Sequence, residues 1–256
     1  MIIQLRLFLS LLAFAGATSV GHAAASPAAG RPNVLLIVAD DLGFSDLGSY
    51  GGEIPTPNLD RLAADGMRFT QFYNCAVCVV TRASLYTGHF PRAGGNLRSG
   101  AVTLGETMRQ SGYTTALSGK WHLGSAAPRR PIDRGFDEYY GLLTGGCNYF
   151  NPAIPDPAFY NAGGIAREFA HNDRIITEFP PDFYTTDAFS SHAVDVIRRA
   201  AGTKKPFFLN LCYTAPHFPL HAPAADIARH RGKYRSGYDE LRERRFRRQL
   251  ELGIME

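Results

Sequence analysis

Two long apolar runs constrain the fold of this chain more than any other feature of its sequence. Residues 34–39 read Val-Leu-Leu-Ile-Val-Ala, and residues 207–213 are apolar or aromatic except for Asn210. A continuous run of this kind is typical of a strand that is buried on both faces of a sheet. Helices are the elements that usually cover such a sheet, so the two runs favour an α/β fold around a largely parallel sheet flanked by helices.

Helix and strand signals alternate between these two runs. They predict a helix from 56 to 66, a strand over 67–73, a short helix over 81–87, a helix that begins at the capping box Thr103–Glu106, a strand over 113–118 and a helix whose apolar face recurs from 189 to 200. Residues 126–182 are rich in Pro, Gly, Asn and aromatic residues and have little periodicity, which predicts a long loop or insertion.

The first 25 residues have the features of a secretory signal peptide. Arg6 is the single charge ahead of the run Leu7–Ala15, which is apolar except for Ser10, and Ala23–Ala25 offer small residues for cleavage. The run is short for a bilayer span of roughly 20 residues, so an uncleaved anchor is the weaker alternative. We therefore expect a mature domain over residues 26–256 that is exported to the periplasm or the extracellular space, without a membrane partner.

Composition and charge exclude several classes of protein. With 45% hydrophobic and 20% charged residues, the chain is neither disordered nor of low complexity. Residues 229–248 hold nine Arg or Lys against three acidic residues, a pattern typical of the solvated face of an amphipathic helix, so we expect no nucleic-acid partner. Cys75-x-x-Cys78 has the spacing of a redox or zinc pair, but no second ligand pair follows it.

Polar side chains follow three of the predicted strands at the point where each strand ends. Asp40 and Asp41 follow the first apolar run, Lys120 and His122 follow the strand over 113–118, and His217 follows the second run. Ligands of open α/β sheets bind beyond the carboxyl ends of the strands. Together these residues indicate a hard cation held by carboxylates, facing an anionic substrate held by Lys and His.

Cys78 and Arg82 supply the most specific signal. Cys78 stands just before the helix predicted over 81–87, Arg82 follows four residues later, and Thr87-Gly88 ends the segment; the N-terminus of a helix favours anions. With these residues the chain resembles the formylglycine-dependent sulfatases of the alkaline phosphatase superfamily. The resemblance covers most of the mature chain, in order: Arg31-Pro32-Asn33, Asp40-Asp41, the Cys78 segment, Gly119–Gly124, Arg134–Asp137 and Ala215–Pro219.

The resemblance implies a fold of the alkaline phosphatase and sulfatase type and a formylglycine derived from Cys78 by a formylglycine-generating enzyme. One hydroxyl of its hydrate would attack the sulfate sulfur. One Ca²⁺ ion, held by Asp40, Asp41 and residue 78, would activate this hydroxyl. The other hydroxyl would then release sulfate. An oxygen at residue 78 also suits a hard cation better than a thiolate does.

The resemblance assigns the remaining residues to the substrate and the nucleophile. Arg82 would orient and stabilise the formylglycine, and His122 would hydrogen-bond its diol. Lys120 and His217 would bind sulfate oxygens and assist the leaving group.

The sequence departs from the family pattern in two places. Val80 stands where the maturation signal usually has Pro or Ala. Family members are also longer and take a further pair of metal ligands and another lysine from a later segment. We therefore expect residues 26–256 to be the N-terminal part of a sulfatase catalytic domain, with the C-terminal part missing.

Two alternatives to a sulfuric ester hydrolase stay open. A phosphodiester or phosphonate hydrolase on the same fold often uses Thr or Ser as its nucleophile, so Cys78 favours sulfate esters. A non-catalytic exported anion-binding homologue would keep Cys78 unconverted. The expected substrate is a sulfated small molecule or a sulfated polysaccharide.

Overall fold

A six-stranded mixed sheet is the framework of the fold. In this computed structural model, which describes residues 30–90, 97–98, 100–155 and 167–256, the strands are β1 (Val34–Asp40), β2 (Thr114–Gly119), β3 (Glu138–Leu142), β4 (Phe169–His171), β5 (Arg174–Ile176) and β6 (Phe207–Pro216). Their order across the sheet is β1-β6-β2-β3-β4-β5. The first four in that order are parallel, whereas β4 and β5 are antiparallel to their neighbours. The predicted largely parallel sheet is confirmed, since four of the six strands are parallel and three of these carry the candidate site.

Six α-helices accompany the sheet within the described ranges. They are α1 (Pro57–Asp65), α2 (Cys78–Thr87), α3 (Leu104–Gln110), α4 (Thr185–Ala201), α5 (Ala224–His230) and α6 (Tyr238–Glu251). The predicted capping box is confirmed at α3, where the Thr103 hydroxyl accepts the Glu106 N–H and the Glu106 carboxylate accepts the Thr103 N–H. None of the described helices is long and apolar enough to cross a bilayer.

Two apolar clusters lie on opposite faces of the sheet. On one face, Phe189, Ala193 and Val196 of α4 pack against Leu209 and Leu211 of β6. The other face contains residues of α2 and of the segments after β2: Ala83, Tyr86, Trp121, Phe136 and Tyr139. α2 and α4 therefore bury apolar residues on the two sides of the sheet, in a three-layer α/β/α arrangement, whereas α1 and α5 bury no residue.

The two apolar runs have different environments. β6 lies between β1 and β2, and Phe207–Cys212 are all buried, as predicted. For β1 the prediction of burial on both faces is wrong, because Leu35 and Ile37 are 46% and 45% exposed. Val34 and Leu36 pack on the second cluster, but α4 covers β6, β2 and β3 and leaves the opposite face of β1 open within the described part of the chain.

Three local predictions also need correction. Residues 67–73 form no strand, because their polar contacts go to the loop before α1: the Tyr50 hydroxyl donates to the Phe69 carbonyl at 3.0 Å, and Arg68 donates to the Ser49 carbonyl at 2.7 Å. α2 begins at Cys78 itself, three residues earlier than predicted. Residues 126–182 contain β3, β4 and β5, which are too short to produce a periodic signal. The predicted signal peptide, residues 1–25, lies outside the described residues.

Candidate active site

The carboxyl ends of β1, β6 and β2 bring the predicted site residues to one edge of the sheet. Asp40, the last residue of β1, is opposite Pro216 of β6 in the register, and Gly119 of β2 is opposite Cys212. Because the three strands are parallel, the residues that follow them leave the sheet on the same side. The chain thus places Asp40-Asp41, Lys120–His122 and His217 together although almost 180 residues separate the first from the last.

A buried ion cluster forms the floor of the site. Both Asp40 carboxylate oxygens are paired: Oδ1 lies 3.3 Å from the Arg82 guanidinium, and Oδ2 accepts a hydrogen bond from Lys120 Nζ. Arg82 also donates to the Lys120 carbonyl at 2.7 Å. All three side chains are at least 96% buried. One buried carboxylate with two buried cations leaves a net positive charge, which favours an anion at this edge of the sheet.

Cys78 lies in front of this floor, at the first residue of α2. Its Sγ is 3.4 Å from His122 Nδ1. Hydrogen bonds with His122 and His217 lower the pKa of the Cys78 thiol to about 5, and the charge of Lys120 adds to the effect. The same hydrogen bond to Cys78 raises the pKa of His217 above its ordinary value. Residue 78 is therefore built to carry negative charge near neutral pH.

Asp41 and His122 have strained backbones. Each has a φ of +63°, the left-handed region that residues with a Cβ rarely adopt. Such conformations cost on the order of 1–3 kcal/mol and cluster at functional sites. The turn at Asp41 points its carboxylate away from the core, to a position where Oδ2 is 3.7 Å from His217 Nε2 and the side chain is 58% exposed. Asp40 and Asp41 thus have opposite environments despite being adjacent in sequence.

The backbone after β2 fixes the positions of Lys120 and His122. The Lys120 N–H donates to the Cys212 carbonyl of β6 at 2.8 Å, whereas the His122 N–H donates to the Leu143 carbonyl after β3 at 3.1 Å. Gly119 makes this close approach possible, because its φ is +115° and a Cβ there would lie 1.8 Å from the Cys212 carbonyl oxygen. Residues 120–122 therefore hydrogen-bond to β6 on one side and to the end of β3 on the other, just after β2 ends.

Two residues that sequence reasoning missed support the histidines. Gly145 lies under the His122 ring, where a Cβ would come within 2.7 Å of the imidazole. The Tyr149 hydroxyl is 2.6 Å from the Thr214 carbonyl oxygen and 2.5 Å from that of His217, so it holds the turn that presents His217. Both residues lie in the segment read as a loop, and only its Gly and aromatic content pointed to them.

Comparison with known proteins gives a match that includes all of these site residues. A sequence profile of the family described as Sulfatase matches residues 32–251, which include every candidate site residue. The chain belongs to the sulfatase family. This sulfatase chain is 36% identical over 246 residues to the arylsulfatase of Klebsiella aerogenes, covering 88% of this chain and 51% of that protein. It is 33% identical to the N-acetylgalactosamine-6-sulfatase of Canis lupus familiaris, covering 82% and 44% of the two chains.

A solved structure supports the fold assignment. The crystal structure of Ps i-CgsB in complex with k-i-k-neocarrahexaose superposes with a TM-score of 0.69 at 34% identity, covering 88% of this chain and 53% of that one. This sulfatase chain thus spans about half the length of the relatives it matches.

The donor atoms at this edge of the sheet are of the type that binds a hard cation, but their number and spacing do not complete a site. Asp40 and Asp41 offer carboxylate oxygens, the ligands that Ca²⁺ prefers. Among the described residues, however, these two and Cys78 do not form a group of three with donor atoms close enough to share an ion, and Ca²⁺ takes roughly six to eight oxygens. Asp40 Oδ2 already accepts a hydrogen bond from the buried Lys120 ammonium group. A cation bound to this oxygen would therefore compete with Lys120.

Proposed function

We propose that this protein is a sulfuric ester hydrolase of the arylsulfatase type, with residue 78 as the nucleophile and a divalent cation at Asp40 and Asp41. The observation that carries the proposal is the position of Cys78. It lies at the N-terminus of α2 within hydrogen-bond reach of His122 and His217, in front of a buried cluster with a net positive charge. A tetrahedral sulfate anion is attracted to such a surface, and its sulfur would face the side chain of residue 78.

Two groups would supply chemistry that the twenty amino acids lack. A formylglycine made from Cys78 would provide, when hydrated, a hydroxyl group that attacks the sulfate sulfur and a second one that releases sulfate afterwards. A Ca²⁺ ion held by Asp40 and Asp41 would lower the pKa of that hydroxyl and neutralise charge on the sulfate oxygens. The match to the sulfatase family supports the proposal, because a metal ion and a formylglycine are general in that family.

The chain's own residues hold protons and charge around the nucleophile. His122 Nδ1 faces the residue 78 side chain and is placed to hold the proton of an attacking hydroxyl. His217 Nε2 lies 3.7 Å from Asp41 Oδ2 at the same edge of the sheet, where it could donate a proton to the departing alcohol. Lys120 and Arg82 lie in the buried floor of the site, and their positive charge would attract the sulfate group. Lys120 could contact a sulfate oxygen directly only if its ammonium group left Asp40.

Sulfated sugars or small aryl sulfates are the substrate classes that we propose. The names of the relatives support both, since one is an arylsulfatase and another acts on N-acetylgalactosamine 6-sulfate groups. We further propose that residues 1–25 direct export and that a formylglycine-generating enzyme acts on Cys78 during maturation. N-terminal sequencing of the secreted protein, expected to begin at Ser26, tests the first of these points.

The test of the function combines mass spectrometry with an aryl sulfate assay. The full-length protein, produced with a formylglycine-generating enzyme, is expected to lack the Cys78 thiol in the tryptic peptide Phe69–Arg82 and to hydrolyse an aryl sulfate. Cys78→Ala should abolish turnover. Cys75→Ala is the matched control, because it removes the neighbouring thiol and should leave turnover unchanged. Turnover that persists in Cys78→Ala would contradict the assigned nucleophile.

Val80 favours one further candidate, an anion-binding protein with an unconverted thiol. Val80 is the third residue of α2, within the first turn, where proline is tolerated because the N–H groups have no intrahelical partner. Val80→Pro should therefore restore the usual maturation signal without disturbing the helix. If the wild-type thiol remains and Val80→Pro gains both the aldehyde and turnover, Val80 is the reason that the natural protein binds anions only.

A further inference from the structure

A second cluster of ligand-type side chains lies at the opposite end of the sheet from the candidate active site. Glu138 is the first residue of β3, His171 the last residue of β4, and His192 lies in α4. Glu138 is opposite Ala116 of β2, four residues before Lys120, which is about 13 Å along the strand direction. One ligand atom from each of the three residues lies within 4.8 Å of the others.

The contact with Glu138 satisfies only one of the two ring nitrogens of His192. Its Nε2 lies 3.0 Å from Glu138 Oε1, but its Nδ1 is buried and has no hydrogen-bond partner among the described residues. Tyr140 packs against both imidazoles, with ring centroids 5.0 Å from His192 and 5.9 Å from His171. Tyr140 therefore packs beside both imidazoles, while His171 stays exposed.

We propose that Glu138, His171 and His192 bind one Zn²⁺ ion. Two imidazoles and one carboxylate, with a fourth position open, form a common zinc ligand set. At ligand distances of about 2.1 Å, the donor atoms of a tetrahedral site are ~3.4 Å apart. The Glu138–His192 pair is already at 3.0 Å, and His171 is exposed, so rotation of its side chain closes the site.

The bound ion would tie α4 to the β3–β4 hairpin, and Arg199 competes with it. The Arg199 guanidinium lies 2.6 Å from Glu138 Oε2 and 2.7 Å from Oε1, with a side chain that is 57% exposed. A zinc ion must share or displace this contact. Loss of the guanidinium should therefore strengthen Zn²⁺ binding, whereas it would weaken a cluster whose only role is ion pairing.

The experiment is a calorimetric titration of the untagged protein with Zn²⁺. A Cys78→Ala background and excess Ca²⁺ keep the active-site thiol and carboxylates from taking the ion. We expect one Zn²⁺ per chain. His171→Ala should weaken binding by at least about tenfold, and Arg199→Ala should tighten it. His89→Ala, which removes another exposed histidine, should have no effect.

Two further measurements protect the test against a folding defect. Circular dichroism of His171→Ala should match the parent, since the side chain is exposed. The thermal midpoint should rise with Zn²⁺ in the parent and not in His171→Ala, because only a ligand bound to the folded state stabilises it. The proposal is overturned if the parent takes up no Zn²⁺, or if His171→Ala binds it as tightly as the parent does.

Discussion

The ionisation of the unconverted Cys78 thiol is the most direct test of the site geometry. His122 and His217 lower its pKa from 9.0 to about 5. At pH 7 a thiol with pKa 5 is about 99% thiolate, and one with pKa 9.0 is about 1% thiolate. Intrinsic nucleophilicity falls with pKa, however, with a Brønsted slope of about 0.4–0.5, so four units cost ~40- to 100-fold in reactivity. The two effects nearly cancel in a rate measured at pH 7.

The shape of the pH profile therefore carries the information, and not the rate at one pH. Protein from a host without the formylglycine-generating enzyme is pulsed with iodoacetamide between pH 4 and 10, and alkylation at each cysteine is quantified by mass spectrometry. For Cys78 the rate should reach half of its plateau near pH 5 and about 90% of it at pH 6. Cys147 is the internal control, because burial raises the pKa of its thiol to about 12 and it should stay unmodified throughout that plateau.

Variants of the histidines connect the midpoint to its cause. His122→Ala removes the hydrogen bond with the largest effect on Cys78 and should move the midpoint upward, and His217→Ala should do so as well. A wild-type midpoint between pH 8 and 9, the range of an ordinary thiol, would refute the arrangement of Cys78, His122 and His217. So would a midpoint that neither variant changes.

Three further substitutions are tested by urea unfolding: two at the site and one at the contact between α6 and the loop before α1. Lys120→Met leaves Asp40 buried with one cation fewer and should cost about 3–5 kcal/mol. Gly119→Ala forces a Cβ against a β6 carbonyl oxygen and should destabilise by more than about 2 kcal/mol. Arg245→Ala breaks the pair with Glu53 and should cost about 1 kcal/mol at pH 7. Because the Arg245 hydrogen bond lowers the Glu53 pKa from 4.5 to about 2, this cost is present above pH 4.5 and is lost as the pH falls through 2.

Matched substitutions control for general effects of each change. Gly202→Ala adds a Cβ at a glycine with φ of −79°, where its nearest neighbour would be 3.6 Å away, so stability should be almost unchanged. Arg244→Ala removes an arginine that is ion-paired to Glu240 in its own helix and should cost less than Arg245→Ala. Equal effects of Arg244→Ala and Arg245→Ala would contradict the role assigned to the contact between α6 and the loop before α1.

Prediction from sequence succeeded where a signal was local. The capping box at Thr103 and Glu106 needs contacts within one helical turn, and it formed as expected. The apolar face of α4 and the buried run of β6 followed from residue spacing alone. Arg82 lies in a helix that ends at Thr87, as predicted for residues 81–87. In each case the physical cause acts over a few residues, and the sequence displays it directly.

Other features depended on contacts between distant segments. The open face of β1 depends on where α4 lies, and nothing in residues 34–39 encodes that position. The opposite environments of Asp40 and Asp41 come from a strained turn and from two cations that arrive from α2 and from the end of β2. β3, β4 and β5 are only three to five residues long, which is too short for a periodic signal. Such short strands are stable only when they pair with their neighbours in the sheet.

The amino-acid sequence by itself determined the fold class, the family and the set of chemical groups at the candidate site. The fold class follows from apolar periodicity and capping, which act along the chain, and the family and its site residues follow from the resemblance of the motifs to those of sulfatases. The tertiary structure alone decided that His217 also meets Cys78, that Gly145 makes room for the His122 imidazole, and that Glu138, His171 and His192 converge. These contacts join segments tens of residues apart, and their geometry is set by strand order and helix packing, which sum weak interactions over the whole core.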